Sequence, residues 1–362
     1  MNIEPLESRI APASVLLYTD LDGDKVKVTS SSAGGDLNTA ATFSDLDTAA
    51  PRQLQKLTLG GAFTGTNLTF TVTKVPGGDG LAHVGNIEAI NVDLGNVTVK
   101  GDLGQITCGN GNPNDDFPAA LKTLKVASMG RFGLATQGGV GDLQSDFNGT
   151  LNSLQVTGDI VGAFVNVIDD ADLLAAKVGG FIIGGLQLDA GSIYAEGNLG
   201  AVTVGRDVIG GTAGYTGAIG AGIDVKSITV GGSVVGGSGA NSGHLHAGFA
   251  GAGNMGPVKI GRDLVGGSQG NAGSIFADGR RDARADRPGQ LAPAADDRTT
   301  HRDAGNLSGV RPQGHGAGFQ RAATDQVALD LHRPHVGIRP KGGVEVAAIG
   351  RRAAEDRATD RE

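Results

Sequence analysis

The chain has a single cysteine, Cys108, in 362 residues, so no disulfide can form within it. It has no tryptophan, three tyrosines and eleven phenylalanines. Aromatic rings therefore cannot fill a large core. Charged residues make up only 19% and the formal net charge is -8, which excludes a basic nucleic-acid-binding surface. No apolar run reaches the roughly 18 residues of a membrane-spanning helix. Glycine, by contrast, takes 63 positions. It does not fall on every third residue, so collagen is excluded. At this density it also disfavours helices, at about 1 kcal/mol per helical position relative to alanine. A glycine-rich β protein remains.

Internal repetition indicates which kind. Leu199-Gly-Ala-Val-Thr-Val-Gly-Arg-Asp-Val-Ile-Gly-Gly211 aligns with Val225-Lys-Ser-Ile-Thr-Val-Gly-Gly-Ser-Val-Val-Gly-Gly237 and with Met255-Gly-Pro-Val-Lys-Ile-Gly-Arg-Asp-Leu-Val-Gly-Gly267. A second element precedes each as Gly-x-(Ile/Leu)-x-Ala, at Gly191–Ala195, Gly217–Ala221, Gly243–Ala247 and again at Gly273–Ala277, with spacings of 26, 26 and 30. The starts of the first element run back through 173 and 151 to 121. A looser apolar-x-x-apolar-x-apolar core occurs earlier, at Leu54/Leu57/Leu59, Ile87/Ile90/Val92, Leu94/Val97/Val99 and Leu103/Ile106/Cys108. Period-two alternation inside each element gives short strands of three to five residues that end at glycines. Three strands and three bends make one coil, and coils must stack to bury their apolar side.

The expected fold is thus all-β: a right-handed parallel β-solenoid (β-helix) with coils of about 26 residues and an irregular C-terminal tail. Ile193, Ile219, Leu245 and Ile275 should form one internal column. Val202, Ile228 and Val258 should form a second, Val204, Val230 and Ile260 a third, and Ala195, Ala221, Ala247 and Ala277 a fourth. A β-sandwich is the competing fold, but it needs longer strands and no fixed repeat. The expected organisation is an N-terminal segment 1–14, a β-hairpin or irregular region 15–50, the solenoid 51–279 and a tail 280–362.

The tail breaks the pattern in mid-repeat. Residues 280–362 hold 14 Arg and 1 Lys and are net +3, whereas 1–279 hold 5 Arg and 10 Lys and are net -11. Back-translated and read one nucleotide later, 280–290 permit Leu-Gly-Pro-Ile-x-Leu-Gly, the missing repeat core. A frameshift is therefore expected, with a genuine Arg-rich disordered tail as the alternative. In either case the last regular coil lacks its cover, and self-association through that uncapped end is expected.

Few motifs carry chemistry. Asp20, Asp22 and Asp24 alternate as Asp-Leu-Asp-Gly-Asp. The spacing reads first as a β-turn between Val15–Thr19 and a strand over 25–29, and second as a set of oxygen ligands for calcium. No other cofactor is expected. His244 and His246 flank Leu245, so alternation turns both toward solvent. Arg206-Asp207 and Arg262-Asp263 read as turn charges. Asp115-Asp116 and Asp169-Asp170 read as loop acids.

Two resemblances bear on function. Leu6-Glu7-Ser8-Arg9-Ile10-Ala11-Pro12-Ala13 resembles the Leu-Glu-Pro-Arg-type N-terminal segment of large glycine-rich repetitive proteins of planctomycete- and verrucomicrobia-like bacteria, with Ser8 standing where that pattern has proline. The resemblance implies an exported or cell-surface location, although no standard secretory signal is visible. The expected role is structural or adhesive, a stiff rod whose outward Thr, Ser and Asn rows can meet glycans or other surface proteins, and no matched acid pair within 51–279 points to catalysis. The alternative is a carbohydrate-active β-helix enzyme similar to pectin lyases or polygalacturonases. Asn114-Asp115, Asp169-Asp170, Gly314-His315-Gly316 and Arg339-Pro-Lys341 match the polygalacturonase motifs poorly, and the last two lie in the aberrant tail.

Overall fold

A computed structural model describes residues 14–279, except 33, 46, 49, 250 and 252. These residues form a parallel β-solenoid of about nine coils. The tail 280–362, the segment 1–13 and the expectations attached to them lie outside the described residues.

Each regular coil has three strands, one per face. The broad face carries six-residue strands such as Leu151–Val156, Leu173–Val178, Leu199–Val204 and Val225–Val230. The second face carries two-residue strands, among them Ile182–Ile183, Val208–Ile209 and Val234–Val235. The third carries Ser192–Ala195, Ile219–Ala221, Leu245–Ala247 and Ile275–Ala277. Uniform strands of three to five residues are thus not found. The broad face is longer because it presents three inward positions, and the second face is shorter because it presents one.

The expected columns are all present. Val202 pairs with Ile228 and Ile228 with Val258, while Val204, Val230 and Ile260 stack beside them. On the third face, Ile193, Ile219, Leu245 and Ile275 are in register, as are Ala195, Ala221, Ala247 and Ala277. The repeat starts at 121, 151, 173, 199, 225 and 255 form one further column. The core is continuous and aliphatic, with few rings among its buried side chains. This is how a chain without tryptophan can be filled.

The looser early repeats stack as well, with one difference. Leu54, Val84 and Leu103 are in register, as are Leu57, Ile87 and Ile106. Ile90, expected in the core, is 59% exposed. Asn91 takes a left-handed conformation there (φ 58°), which ends the alternation, and Ala89 fills the inward slot opposite Cys108.

Region 15–50 closes the N-terminal end. Val15–Thr19 and Lys25–Ser30 form an antiparallel hairpin. Lys25–Ser30 then lies antiparallel on Leu68–Thr73, itself parallel to the next coil. Ala41–Phe43 covers Leu54–Thr58 in the same antiparallel way. Leu16, Tyr18, Val26, Val28 and Leu37 join the solenoid core, so the hairpin is a lid on the stack. At the other end of the described stack, Leu264, Val265 and Phe276 are 48%, 44% and 43% exposed.

Polar side chains tie the corners together. Asp172, Asn198, Asp224 and Asn254 occupy one corner in four successive coils. Asn198 Nδ2 donates to Asp172 Oδ1 (3.0 Å), and Asn254 Nδ2 donates to Asp224 Oδ1 (3.1 Å). Asp207, read as a turn charge, also accepts from the Ser233 amide of the next coil at 2.7 Å.

Candidate functional site

Asp20, Asp22 and Asp24 sit in the hairpin turn, as the spacing required. A ligand atom from each lies within 4.8 Å of the others. These carboxylates already have donors. Asp20 Oδ1 accepts from the Asp24 amide (2.7 Å) and Asp22 Oδ2 from the Asp79 amide (2.7 Å). Asp24, fully buried, accepts from the amides of Val75 (2.7 Å) and Gly80 (2.5 Å). Burial first, and then a hydrogen bond with Asp22, push the Asp20 carboxyl up to about 7. The partner Asp22 is held below the usual range by that same bond. The trio acts as a clasp between the hairpin turn and the loop 75–80. Nothing in the alternation of acids in the sequence indicated those long-range amide partners.

Of the polygalacturonase-like positions, Asp115 accepts from Asn110 Nδ2 (2.6 Å) and from the Phe117 amide (2.8 Å), a loop-building role. Asp169 and Asp170 are left-handed turn residues (φ 69° and 54°) whose amides donate to Glu196 Oε2 at 2.7 and 3.3 Å. His315 and Lys341 lie outside the described residues.

The histidines depart from expectation. His244 and His246 do point away from the core, but each is only 5% exposed. Burial pushes His244 down to about 4. Burial, together with the neighbouring His244, pushes His246 down to about 3. Alternation correctly gave their direction. It could not reveal what covers them: Ser274 (2.8 Å from Nδ1) and Phe276 of the next coil pack on His244, and the loop after Leu245–Ala247 packs on His246.

The surroundings of His246 are shaped by three deviations from the repeat. The coil from Val225 to Met255 is four residues longer than its predecessor, and the extra length lies in the loop after Leu245–Ala247. The loop brings Phe249, 61% exposed, to ring-centroid distances of 5.7 Å from both His246 and Tyr215 and 6.2 Å from Tyr194. Gly220 occupies the slot filled by Tyr194 one coil earlier and by His246 one coil later. A Cβ at Gly220 would collide with the His246 ring. Its absence lets that ring stack toward Tyr194, at 5.7 Å and 24°. The third deviation is Tyr215 itself. Positions 189, 215, 241 and 271 are one corner that recurs in four successive coils, left-handed in each (φ 54° to 58°). Asp and Asn fill it elsewhere, as this conformation prefers, whereas a bulky side chain there is strained.

Together these residues line a groove of about 370 Å³ on the third face, with Asp189 and Glu196 at its wall and neither lysine nor arginine in its lining. Against family models, curated proteins and solved structures, the chain has no match. The groove must therefore be interpreted from its own chemistry. Asp189 has no side-chain partner, and burial alone raises its carboxyl to about 6. His246 Nδ1 is buried without a hydrogen-bond partner. Ser192 Oγ donates to the Tyr215 carbonyl (2.7 Å) and accepts from the Ala218 amide (2.9 Å), fixing the corner that carries the tyrosine.

Proposed function

We propose that this chain is a structural and adhesive β-solenoid segment of a bacterial exported or cell-surface protein, and that it does not catalyse a reaction. The observation that supports this reading is the inequality of the two ends of the described stack. One is sealed by antiparallel strands, while the other presents Leu264, Val265 and Phe276 on strands that have no partner on their outer side among the described residues. Such an edge is complementary to one more coil, from further chain or from a second copy. Along the rod, outward Thr and Ser residues pair between coils, as at Thr203–Thr229 and Thr123–Ser153. They form a polar flank suited to glycans or neighbouring surface proteins. The N-terminal resemblance supplies the location.

Sedimentation velocity on the full chain across a wide concentration range tests the reading. Self-association is expected, and Val265→Lys should weaken it by charging the edge. Pectin and glucan panels should release no reducing ends. A chain that stays monomeric when concentrated overturns the assembly role. Reducing-end release abolished by one Asp→Asn change would replace it with the enzyme reading.

A further inference from the structure

We propose that the groove between Tyr194, Tyr215 and Phe249 binds an alkylated ammonium cation, with Asp189 as its counter-charge. This goes beyond the rod-like role and does not depend on it.

Four observations converge on a ligand. First, aromatic side chains are scarce, yet two of the three tyrosines in the chain line this one cavity. Second, the rings are arranged as walls. The Phe249 plane is nearly perpendicular to those of Tyr194 (81°) and Tyr215 (86°). Third, Tyr215 occupies a left-handed corner that Asp189, Asn241 and Asn271 fill in the other coils. Strain of this kind costs on the order of 1 kcal/mol and is found where a side chain serves something other than the fold. Fourth, the groove holds unmet polar capacity. His246 is 95% buried, lines the cavity and leaves Nδ1 without a partner. Asp189 is half-buried and likewise without a partner.

The charge pattern selects the ligand. Two carboxylates face the cavity, and no Lys or Arg offsets them. Glu196 is engaged only by backbone amides. His246 is neutral at physiological pH, because burial holds it far below that range. A site with aromatic faces, negative charge and no cation of its own attracts a cation that carries its own apolar shell. Ring quadrupoles hold the charge, and methyl groups replace the water lost from the rings. A strongly hydrated metal ion would find too few converging oxygens. A neutral sugar would leave the Asp189 charge uncompensated.

Titration of the full chain with choline chloride, followed by NMR or calorimetry, tests this. Saturable binding is expected. The uncharged isostere 3,3-dimethylbutan-1-ol should bind at least tenfold more weakly. Tyr215→Asn installs the residue type found at this corner in the following coils, so the fold should be kept or stabilised while affinity falls at least tenfold. Asp189→Asn should cause a similar loss. Choline and a trimethyllysine peptide separate a head-group source from a protein source, and the tighter of the two identifies it. The proposal is overturned if neither binds, if the isostere binds equally well, if a methyl glucoside binds more tightly than choline, or if Tyr215→Asn with an unchanged melting curve retains full affinity.

Discussion

Shortening one buried side chain in mid-stack should cost far more than shortening a similar one at the open end. Ile228 is fully buried, in register between Val202 and Val258. Ile228→Ala removes three carbons, worth about 2.4 kcal/mol at ~0.8 kcal/mol each. The column cannot collapse around the gap, because its neighbours are held by parallel ladders on both sides. A cavity therefore adds to the loss and brings it to about 3–4 kcal/mol. Leu264 heads the second face and is 48% exposed. Leu264→Ala loses roughly half the transfer energy and leaves an open notch rather than a cavity, so about 1 kcal/mol is expected. Urea unfolding gives both numbers. Hydrogen exchange on Val225–Val230 and Leu94–Gly109 shows whether the stack melts as one unit, which repeat arrays need not do. Equal losses for the two variants, or an Ile228→Ala loss below about 1 kcal/mol, would refute the argument that register in the column sets burial energy.

Two pH effects of opposite sign should appear. His244 and His246 have folded values near 4 and 3 against an ordinary 6.5. The stability they contribute is complete above about 6.5 and is lost as pH falls through 4 to 3; thermal melts should show this, and His246→Phe should flatten the acid limb. Asp20 is shifted the other way, from 3.8 to about 7. Its contribution is full below about 3.8 and is lost as pH rises through 7, so Asp22→Asn, which removes the opposing charge, should raise the melting temperature at pH 8. Asp24→Ala should lower the melting temperature by several degrees, since two backbone donors lose their acceptor. Calcium at millimolar concentration should leave the wild-type melt unchanged, and a clear rise would restore the three acids as a metal site.

The columns were legible because a solenoid repeats its inward positions at fixed register. A match such as Val202, Ile228 and Val258 in sequence becomes a contact in space. The early coils were harder to interpret because single residues, such as Asn91, switch the alternation. The groove was not legible for a different reason. Alternation gives the direction of His244 and His246 but cannot tell whether the loop that follows folds back over His246. The signals were present as departures from the repeat: a tyrosine at an Asp/Asn corner, a glycine in a ring position, and four extra residues.

The antiparallel lid has a consequence for biosynthesis. It is built from residues that are synthesised before the coils they cover, and it offers a strand edge to the first of those coils. Each later coil pairs with one made 19 to 39 residues earlier, so every closure is short for a β protein. The rod can therefore assemble vectorially, from a template laid down at the start, at the pace of translation. Deleting the hairpin should then harm refolding from denaturant less than it harms yield in the cell, where the first coil would lose the strand edge that Lys25–Ser30 offers it.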